Sequence, residues 1–168
     1  MDRDPLDDDR LTLAGLLFES TTGVAQALEA ALRDCSGMSA QWFELLIRLA
    51  RSPGRRLRMS DLASQTALTP SGLTRAVDRL VDAELVARTT CPTDRRGAYA
   101  ELTESGLQRI RNAVEPHLSH IEEVLLAPLD QDDRRDLERV LRKLRDHVRP
   151  NAIAGVTTDA RSQRSERS

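Results

Sequence analysis

The stretch that decides the fold reads Asp94-Arg95-Arg96-Gly97-Ala98-Tyr99-Ala100-Glu101-Leu102-Thr103-Glu104-Ser105-Gly106. It places a charged, glycine-bearing tip between two short β-type runs, residues 85–90 and 98–102, and therefore predicts a hairpin. Thr103 offers a helix cap directly after the second run. Such a hairpin would hold the guanidinium groups at its tip away from the body of the protein.

The residues upstream of the hairpin have the pattern of two short helices joined by a tight turn. Ser60 caps the first predicted helix, over residues 61–66, and Thr69-Pro70 begins a second that runs to about Ala83. On a helical wheel at about 100° per residue, the second helix has one apolar and one polar side. The apolar side holds Leu73, Val77 and Leu80, and the polar side holds Ser71, Thr74, Arg75, Asp78 and Arg79. Two helices followed by a hairpin predict a winged helix-turn-helix that grips duplex DNA.

The polar side of this second helix carries the groups needed in a major groove. Ser71 and Thr74 are short, so the start of the helix could approach base edges closely. Arg75 could contact guanine O6 and N7 with both arms of its guanidinium, and Arg79 could reach a phosphate. Asp78 either accepts from a cytosine amino group or orients one of these arginines. A solvated face on an ordinary surface helix is the alternative interpretation.

The wing tip has a similar pair of interpretations. Arg96 is our candidate for insertion into the narrow minor groove, where the negative potential is enhanced. Asp94 would hold it in place through a charge-assisted pair. Arg95 is either a phosphate contact or a solvated turn residue.

Composition indicates a helical protein with an aliphatic core. The chain has 168 residues, of which 39% are hydrophobic but only 2% aromatic, so the core must consist of Leu, Val, Ala and Ile. No apolar run approaches the roughly 20 residues of a transmembrane helix, and the acidic N-terminus lacks an apolar signal stretch. We expect a cytoplasmic protein without a membrane partner, mainly α with a small β-hairpin wing.

The charge distribution agrees with DNA binding better than the overall charge does. The net charge of the chain is -2. Residues 55–97, however, carry 8 Arg against 5 Asp and Glu, a net of +3, whereas residues 1–54 have a net of -4 and residues 98–168 a net of -1. The positive charge thus falls on the helix-turn-helix pattern.

The residues before and after the winged helix-turn-helix pattern predict further helices, with residues that mark where each begins or ends. One helix is predicted from Leu11 to about Arg33, stopped by Ser36-Gly37, and another from the cap Ser39 to about residue 51. A long helix follows Thr103. Pro116 lies inside that helix and should kink or split it, a break is expected at residues 126–129, and Asp130 opens a last helix that Pro150 ends. Composition predicts disorder at residues 1–9 and 150–168.

Nothing in the sequence indicates an enzyme or a metal site. Cys35 and Cys91 lie outside any C-x-x-C or Cys/His cluster. The three histidines lack the carboxylate and nucleophile partners that catalysis would need. We therefore expect no catalytic residue, no metal and no cofactor.

The hairpin and its neighbours resemble the MarR (multiple antibiotic resistance regulator) family of bacterial winged-helix regulators, over about residues 11–148. The most specific element is the wing signature D-x-R-x-x-x-x-x-L-T-x-x-G, matched at Asp94, Arg96, Leu102, Thr103 and Gly106. Three further stretches are similar to the family: residues 37–46, 59–63 and 69–80. The chain departs from the family at Ala67, where glycine is usual, and a left-handed backbone there would cost about 1 kcal/mol.

The resemblance implies a homodimer and a division of the chain into regions. Residues 10–36 and 103–149 would form a helical dimerisation region, and residues 37–102 the winged helix-turn-helix lobe, between the disordered tails. Two lobes would read a near-palindromic operator in double-stranded DNA, with half-sites about 34–36 Å apart. The implied activity is that of a transcriptional regulator, expected to be a repressor released by a small-molecule ligand.

The resemblance also implies where the effector binds, between the dimer base and the DNA lobe. Trp42 and Cys35 are our candidates for that pocket, while Phe43 is expected to fill the core. Two alternatives remain open. The protein could instead sense oxidants through Cys35 or Cys91, or the winged helix could serve protein–protein contact.

Overall fold

The computed structural model of the protein describes residues 4–90 and 98–149. Within them the chain forms helices and a small three-stranded antiparallel sheet of order β1-β3-β2, which confirms the predicted fold class. The helices are α1 (Asp9–Ser36), α2 (Ala40–Ala50), α3 (Met59–Gln65), α4 (Pro70–Asp82), α5 (Glu104–Ile121) and α6 (Gln131–Val148). The strands are β1 (Arg56–Arg58), β2 (Val86–Thr90) and β3 (Ala98–Leu102). No helix of the described ranges is long and apolar enough to cross a bilayer.

Most helix ends lie where their capping residues predict them. Gly37 closes α1 in the left-handed conformation, at φ 65°, which glycine adopts without steric cost. Ser39 and Asp130 accept backbone N–H groups at the starts of α2 and α6. Ser60 does not cap α3, because β1 runs directly into that helix and α3 begins one residue earlier, at Met59.

The acidic N-terminus is more ordered than its composition suggested. Pro5–Asp7 forms a 3-10 turn capped by Asp4, and the Asp8 carboxylate accepts the Arg10 N–H at the start of α1. The predicted disorder of residues 1–9 is therefore wrong for residues 4–9. Composition alone cannot predict this order, because aspartate is common in disordered segments but is also a strong N-cap. Residues 150–168 lie outside the described ranges.

Pro116 does not split the long helix. Residues 104–121 are one α-helix, which passes into a π-helical turn at Glu122–Leu126 before the chain turns at residues 127–128. A proline removes one backbone hydrogen bond and adds a local clash. The packing of α5 along both α1 and α2 holds the helix together.

The turn before α4 is not strained at Ala67. Among the described non-glycine residues, positive φ angles occur at Arg55 and Glu84. The strain expected from the absence of glycine at position 67 is therefore not present. A comparable strain lies instead at Glu84, φ 59°, between α4 and β2.

The main core lies in the lobe built from α2, α3, α4 and the sheet, and continues onto α5. Its side chains are aliphatic, as the composition predicted, and Trp42 and Phe43 pack against its edge. The fully buried members include Leu45, Leu46, Leu49, Leu62, Leu73, Val77, Leu80 and Val86. Helix α6 contributes no buried residue.

Candidate nucleic-acid interface

Helix α4 has the two faces that its sequence predicted. Leu73, Ala76, Val77 and Leu80 are buried against the lobe, and the opposite side is open to solvent. The exposed side carries Ser71, Thr74, Arg75, Asp78 and Arg79. The helix therefore presents one continuous polar surface from a rigid support.

The start of α4 is tightly organised. The Thr69 hydroxyl accepts the Gly72 N–H at 3.1 Å and lies 3.4 Å from the Ser71 hydroxyl. The Thr74 hydroxyl donates to the Pro70 carbonyl at 3.0 Å. An open depression of about 510 Å³ is lined by Pro70, Ser71, Thr74 and Arg75. Close approach of a base edge is sterically possible at this end of the helix.

The two exposed arginines of α4 differ in their hydrogen bonds to the rest of the protein. The Arg79 Nε donates to the Arg75 carbonyl at 3.3 Å, so this side chain lies back along its own helix. The Arg75 guanidinium makes no hydrogen bond or ion pair with the described residues. Arg75 is therefore the α4 arginine best placed to contact a base.

Asp78 is engaged by a strand of the wing. Its carboxylate pairs with Arg88 of β2 at 2.9 Å, and Arg88 also donates to the Thr74 carbonyl at 3.4 Å. The structure pairs Asp78 with Arg88 rather than with Arg75 or Arg79, and the contact of Asp78 with a cytosine stays a prediction. The pair joins α4 to the wing, and sequence reasoning missed Arg88 because nothing in the local pattern of β2 distinguishes it.

The second half of the wing signature is structural. Thr103 caps α5 by accepting the Gly106 N–H at 2.9 Å, and its hydroxyl donates to the Glu84 carbonyl at 2.7 Å. A Cβ at Gly106 would lie 2.0 Å from the Leu85 carbonyl oxygen. Glycine is thus required because the start of α5 lies directly against the chain that enters β2.

The tip of the wing lies outside the described residues. Asp94, Arg95, Arg96 and Cys91 all fall in residues 91–97, so their predicted roles remain predictions. The strands on either side are paired, with Thr90 opposite Ala98. Residues 91–97 therefore connect two adjacent strand ends, as the predicted hairpin requires.

The sheet carries further cationic groups beside the wing. Arg56 and Arg58 of β1 lie over the ring of Tyr99 in β3, with guanidinium carbons 5.3 and 5.6 Å from its centroid. The Arg58 Nε also donates to the Tyr99 hydroxyl at 3.2 Å. These contacts fix two guanidinium groups on the face of the sheet that points away from the core.

A cleft of about 470 Å³ lies between α2 and α5. Its walls are mainly aliphatic, and its charged residues are Arg55, Arg111 and Glu115. Neither predicted pocket residue lines it. Trp42 packs against the core, and Cys35 is exposed in the last turn of α1, with its thiol 3.5 Å from the Leu32 carbonyl.

His117 is the buried titratable group at the same helix pair. Its ring meets Phe43 of α2 edge to face, with centroids 4.6 Å apart. Burial, with a smaller contribution from the charge of His120, lowers the pKa of His117 below its ordinary value. Its Nδ1 has no hydrogen-bond partner among the described residues.

Comparison with known proteins identifies this architecture. The sequence model of the MarR family matches residues 36–97. Sco3205, a MarR family transcriptional regulator from Streptomyces coelicolor solved in complex with DNA, is 30% identical; its TM-score is 0.78, with 83% of this chain and 91% of that chain covered. AbsC, another MarR family regulator from Streptomyces coelicolor, is 31% identical with TM-score 0.78, covering 85% of this chain and 96% of that one.

One curated relative matches both the winged helix-turn-helix lobe and the helices that flank it. The transcriptional regulator PecS from Dickeya dadantii is 26% identical over 148 residues, which cover 88% of each chain. The match therefore includes the helices that flank the lobe as well as the lobe itself. The family match, the relatives and the two-faced α4 beside its wing show that this chain belongs to the MarR family of DNA-binding transcriptional regulators.

Proposed function

We propose that the protein is a homodimeric repressor, released from a near-palindromic operator by a small-molecule ligand. The observation that carries the DNA-reading part is the uncommitted Arg75 guanidinium on the exposed face of α4. Arg75 would donate two hydrogen bonds to guanine O6 and N7. Ser71 and Thr74 would contact neighbouring base edges, and Arg79 would turn outward to a phosphate. Arg96 would enter the minor groove with Asp94 as its brace, and Arg95 would contact a phosphate.

Apolar surface that the described part of one chain leaves uncovered supports the proposed dimer. Apolar side chains are exposed on α1 and, in one stripe, on α6. They are Leu11, Leu13, Leu16 and Phe18 on α1, and Val140, Leu141, Leu144 and Val148 on α6. Large exposed apolar patches mark interaction sites in soluble proteins. A two-fold pairing of these helices would give one lobe to each half-site.

The cleft between α2 and α5 is our candidate for the effector pocket. It joins a helix of the lobe to the long helix that leads into the base, so an occupant would contact both. Its aliphatic walls with Arg55 and Arg111 at the edge suit a small aromatic carboxylate or phenolate. A ligand that binds one spacing of the lobes better than the other would shift the population away from DNA. Trp42 and Cys35 would then lie beside the pocket rather than in it.

The DNA-binding part is tested by selecting operators from a random duplex pool with the wild-type protein. The Arg75→Ala variant should lose about 1–3 kcal/mol of operator affinity while its oligomeric state stays unchanged. Arg139→Ala is the matched control, because Arg139 lies on α6 and pairs with Asp136 at 3.0 Å. Equal operator binding by Arg75→Ala and Arg139→Ala would reject the proposed role of α4.

The ligand part is tested with benzoate and 4-hydroxybenzoate as probes. Either probe should weaken operator binding by the wild-type protein and raise its thermal midpoint. Val114→Phe, which places a bulky ring in the cleft, should abolish both effects, whereas Trp42→Phe should retain them. Retained responses in Val114→Phe would move the effector site away from this cleft.

A further inference from the structure

Helix α6 is held to the rest of the chain by an arginine at each end. At its start, Arg134 donates to the Glu122 carboxylate at 2.7 Å and to the carbonyls of Leu126 and Leu129 at 2.8 and 3.2 Å. These bonds attach the first turn of α6 to the end of the π-helical turn. The beginning of α6 is therefore fixed relative to α5.

At the other end, the residue that follows α6 contacts the helix-turn-helix. The Arg149 Nη2 donates to the Thr66 carbonyl and, at 3.5 Å, to the Ser64 carbonyl. Both carbonyls belong to the C-terminal end of α3 and the turn that leads to α4. This contact joins residues more than 80 positions apart in the chain.

The contact satisfies carbonyl groups at the end of a helix of the lobe. The last carbonyls of a helix have no intrahelical donor, and a cation is favoured at that end. A guanidinium can serve two carbonyls from one side chain because its donors are fixed in a fork. Arg149 therefore completes the end of α3 from another region of the protein.

The turn that Arg149 contacts is rigidly connected to α4. The side chains of Gln65 and Thr66 are buried, at 3% and 2% exposure, so this segment cannot shift without disturbing the core. Thr69, only three residues after Thr66, caps α4. A displacement of the Thr66 carbonyl would thus reach the start of the DNA-reading helix.

Between its two anchored ends, α6 exposes the apolar stripe described above. If the proposed dimer forms, the partner covers that stripe and thereby fixes the orientation of α6 relative to the lobe. We propose that Arg149 is a positioning residue for DNA recognition, which holds the turn before α4 in the orientation set by α6. The inference rests on the proposed DNA-reading function. It adds a way in which dimerisation would affect the position of α4, through α6 and Arg149.

The test compares Arg149→Ala, Arg149→Lys and the control Arg142→Ala in the full-length protein. Arg142 lies on α6, two turns before Arg149, and pairs along that helix with Glu138 at 2.6 Å. Affinities for a selected operator and a scrambled duplex are measured by fluorescence anisotropy over a range of salt concentrations. Analytical ultracentrifugation measures the oligomeric state of each variant under the same conditions.

Arg149→Ala should weaken operator binding by about two- to thirtyfold, as expected for coupling through packed elements. Binding to the scrambled duplex and the slope of affinity against salt should not change, because no phosphate contact is lost. Arg149→Lys should recover part of the loss, since an ammonium reaches one carbonyl well but does not fork. In the absence of DNA, amide hydrogens of residues 65–69 should exchange faster in Arg149→Ala than in Arg142→Ala.

Three outcomes would overturn the inference. The first is equal operator affinity of Arg149→Ala and wild type. The second is a salt slope reduced by about 0.9 per protomer, which would make Arg149 a phosphate contact. The third is a loss that disappears when the protein concentration is raised enough to restore the wild-type oligomer. A wild-type protein that does not distinguish operator from scrambled DNA would instead reject the proposed function, and the role of Arg149 with it.

Discussion

The DNA-binding lobe and the helical base differ in where their apolar side chains lie. In the lobe, Leu62 and Leu80 are fully buried by residues of the same chain. In the base, Phe18 of α1 and Val148 of α6 remain 67% and 68% exposed. The lobe therefore buries its apolar side chains within one chain, whereas the base leaves apolar surface exposed that the proposed partner would cover. Stability of the lobe and assembly of the base should respond to different substitutions.

The strongest way to break the lobe alone is Gly106→Ala. The added methyl group would overlap the Leu85 carbonyl oxygen, and the backbone at the base of the wing cannot move without opening the core. We expect a loss of about 3 kcal/mol in the free energy of unfolding, measured by urea denaturation. Gly23→Ala on α1 is the control, since a Cβ there meets no atom within 4 Å. Equal stability of the two variants would contradict the close packing of α5 on Leu85.

The base is tested by Leu144→Ala on α6. This side chain is 43% exposed, and the proposed partner would cover that fraction, so its removal should cost about 1 kcal/mol of dimerisation free energy for each buried copy. Sedimentation over a dilution series measures this change. Leu62→Ala, at a buried lobe position, should instead lower unfolding stability at every protein concentration. Unchanged dimer dissociation in Leu144→Ala would place the interface elsewhere.

A smaller effect of opposite sign is expected at Glu84. Its φ of 59° is left-handed, a conformation that costs a non-glycine residue about 1–2 kcal/mol. Glu84→Gly should stabilise the lobe by about 0.5–1 kcal/mol after the added backbone entropy of glycine is subtracted. Glu84→Ala removes the same carboxylate but keeps the strain, and should not stabilise. Thermal unfolding distinguishes the two, and a gain in both variants would indicate a charge effect instead.

The smallest effect at neutral pH is expected from His117. Because burial lowers its pKa in the folded protein, the unfolded chain binds more protons between the folded pKa and the unfolded value of about 6.5. Stability should therefore be complete above about pH 6.5 and decline as the pH falls below it. His117→Leu should flatten this decline in urea unfolding measured from pH 7.5 to 5. His147→Asn, at an exposed site on α6, should leave it in place, and an unaltered decline in His117→Leu would assign it to other groups.

Much of the fold could be predicted because its signals are local. The caps Ser39, Thr69 and Thr103 lie within three or four residues of the amides that they accept. The two faces of α4 follow from helical periodicity alone. Among the predictions that failed, the disorder of residues 4–9, the cap at Ser60, the split at Pro116 and the strain at Ala67 used correct residue preferences but ignored the neighbouring elements.

The DNA-binding site divides in the same way. That Arg75 lies on an exposed polar face could be predicted from the sequence, because it depends on spacing along one helix. That Asp78 is paired with Arg88 could not, since the partner lies on a strand whose position is set by the packing of the lobe. The sequence predicts Trp42 as a pocket residue because it is an aromatic residue near the junction, whereas the residues that line the cleft between α2 and α5 are mainly aliphatic.

By itself the sequence determined the order of helices and strands, the polar face of α4 and the signature of the wing. These features depend on caps and periodicities that span a few residues. Only the tertiary structure decided why Gly106 must be glycine, which group holds Asp78, and that Arg149 reaches the turn before α4. Each of these depends on residues distant in sequence that are brought within bonding distance by burial of the aliphatic core, and no local pattern encodes that distance.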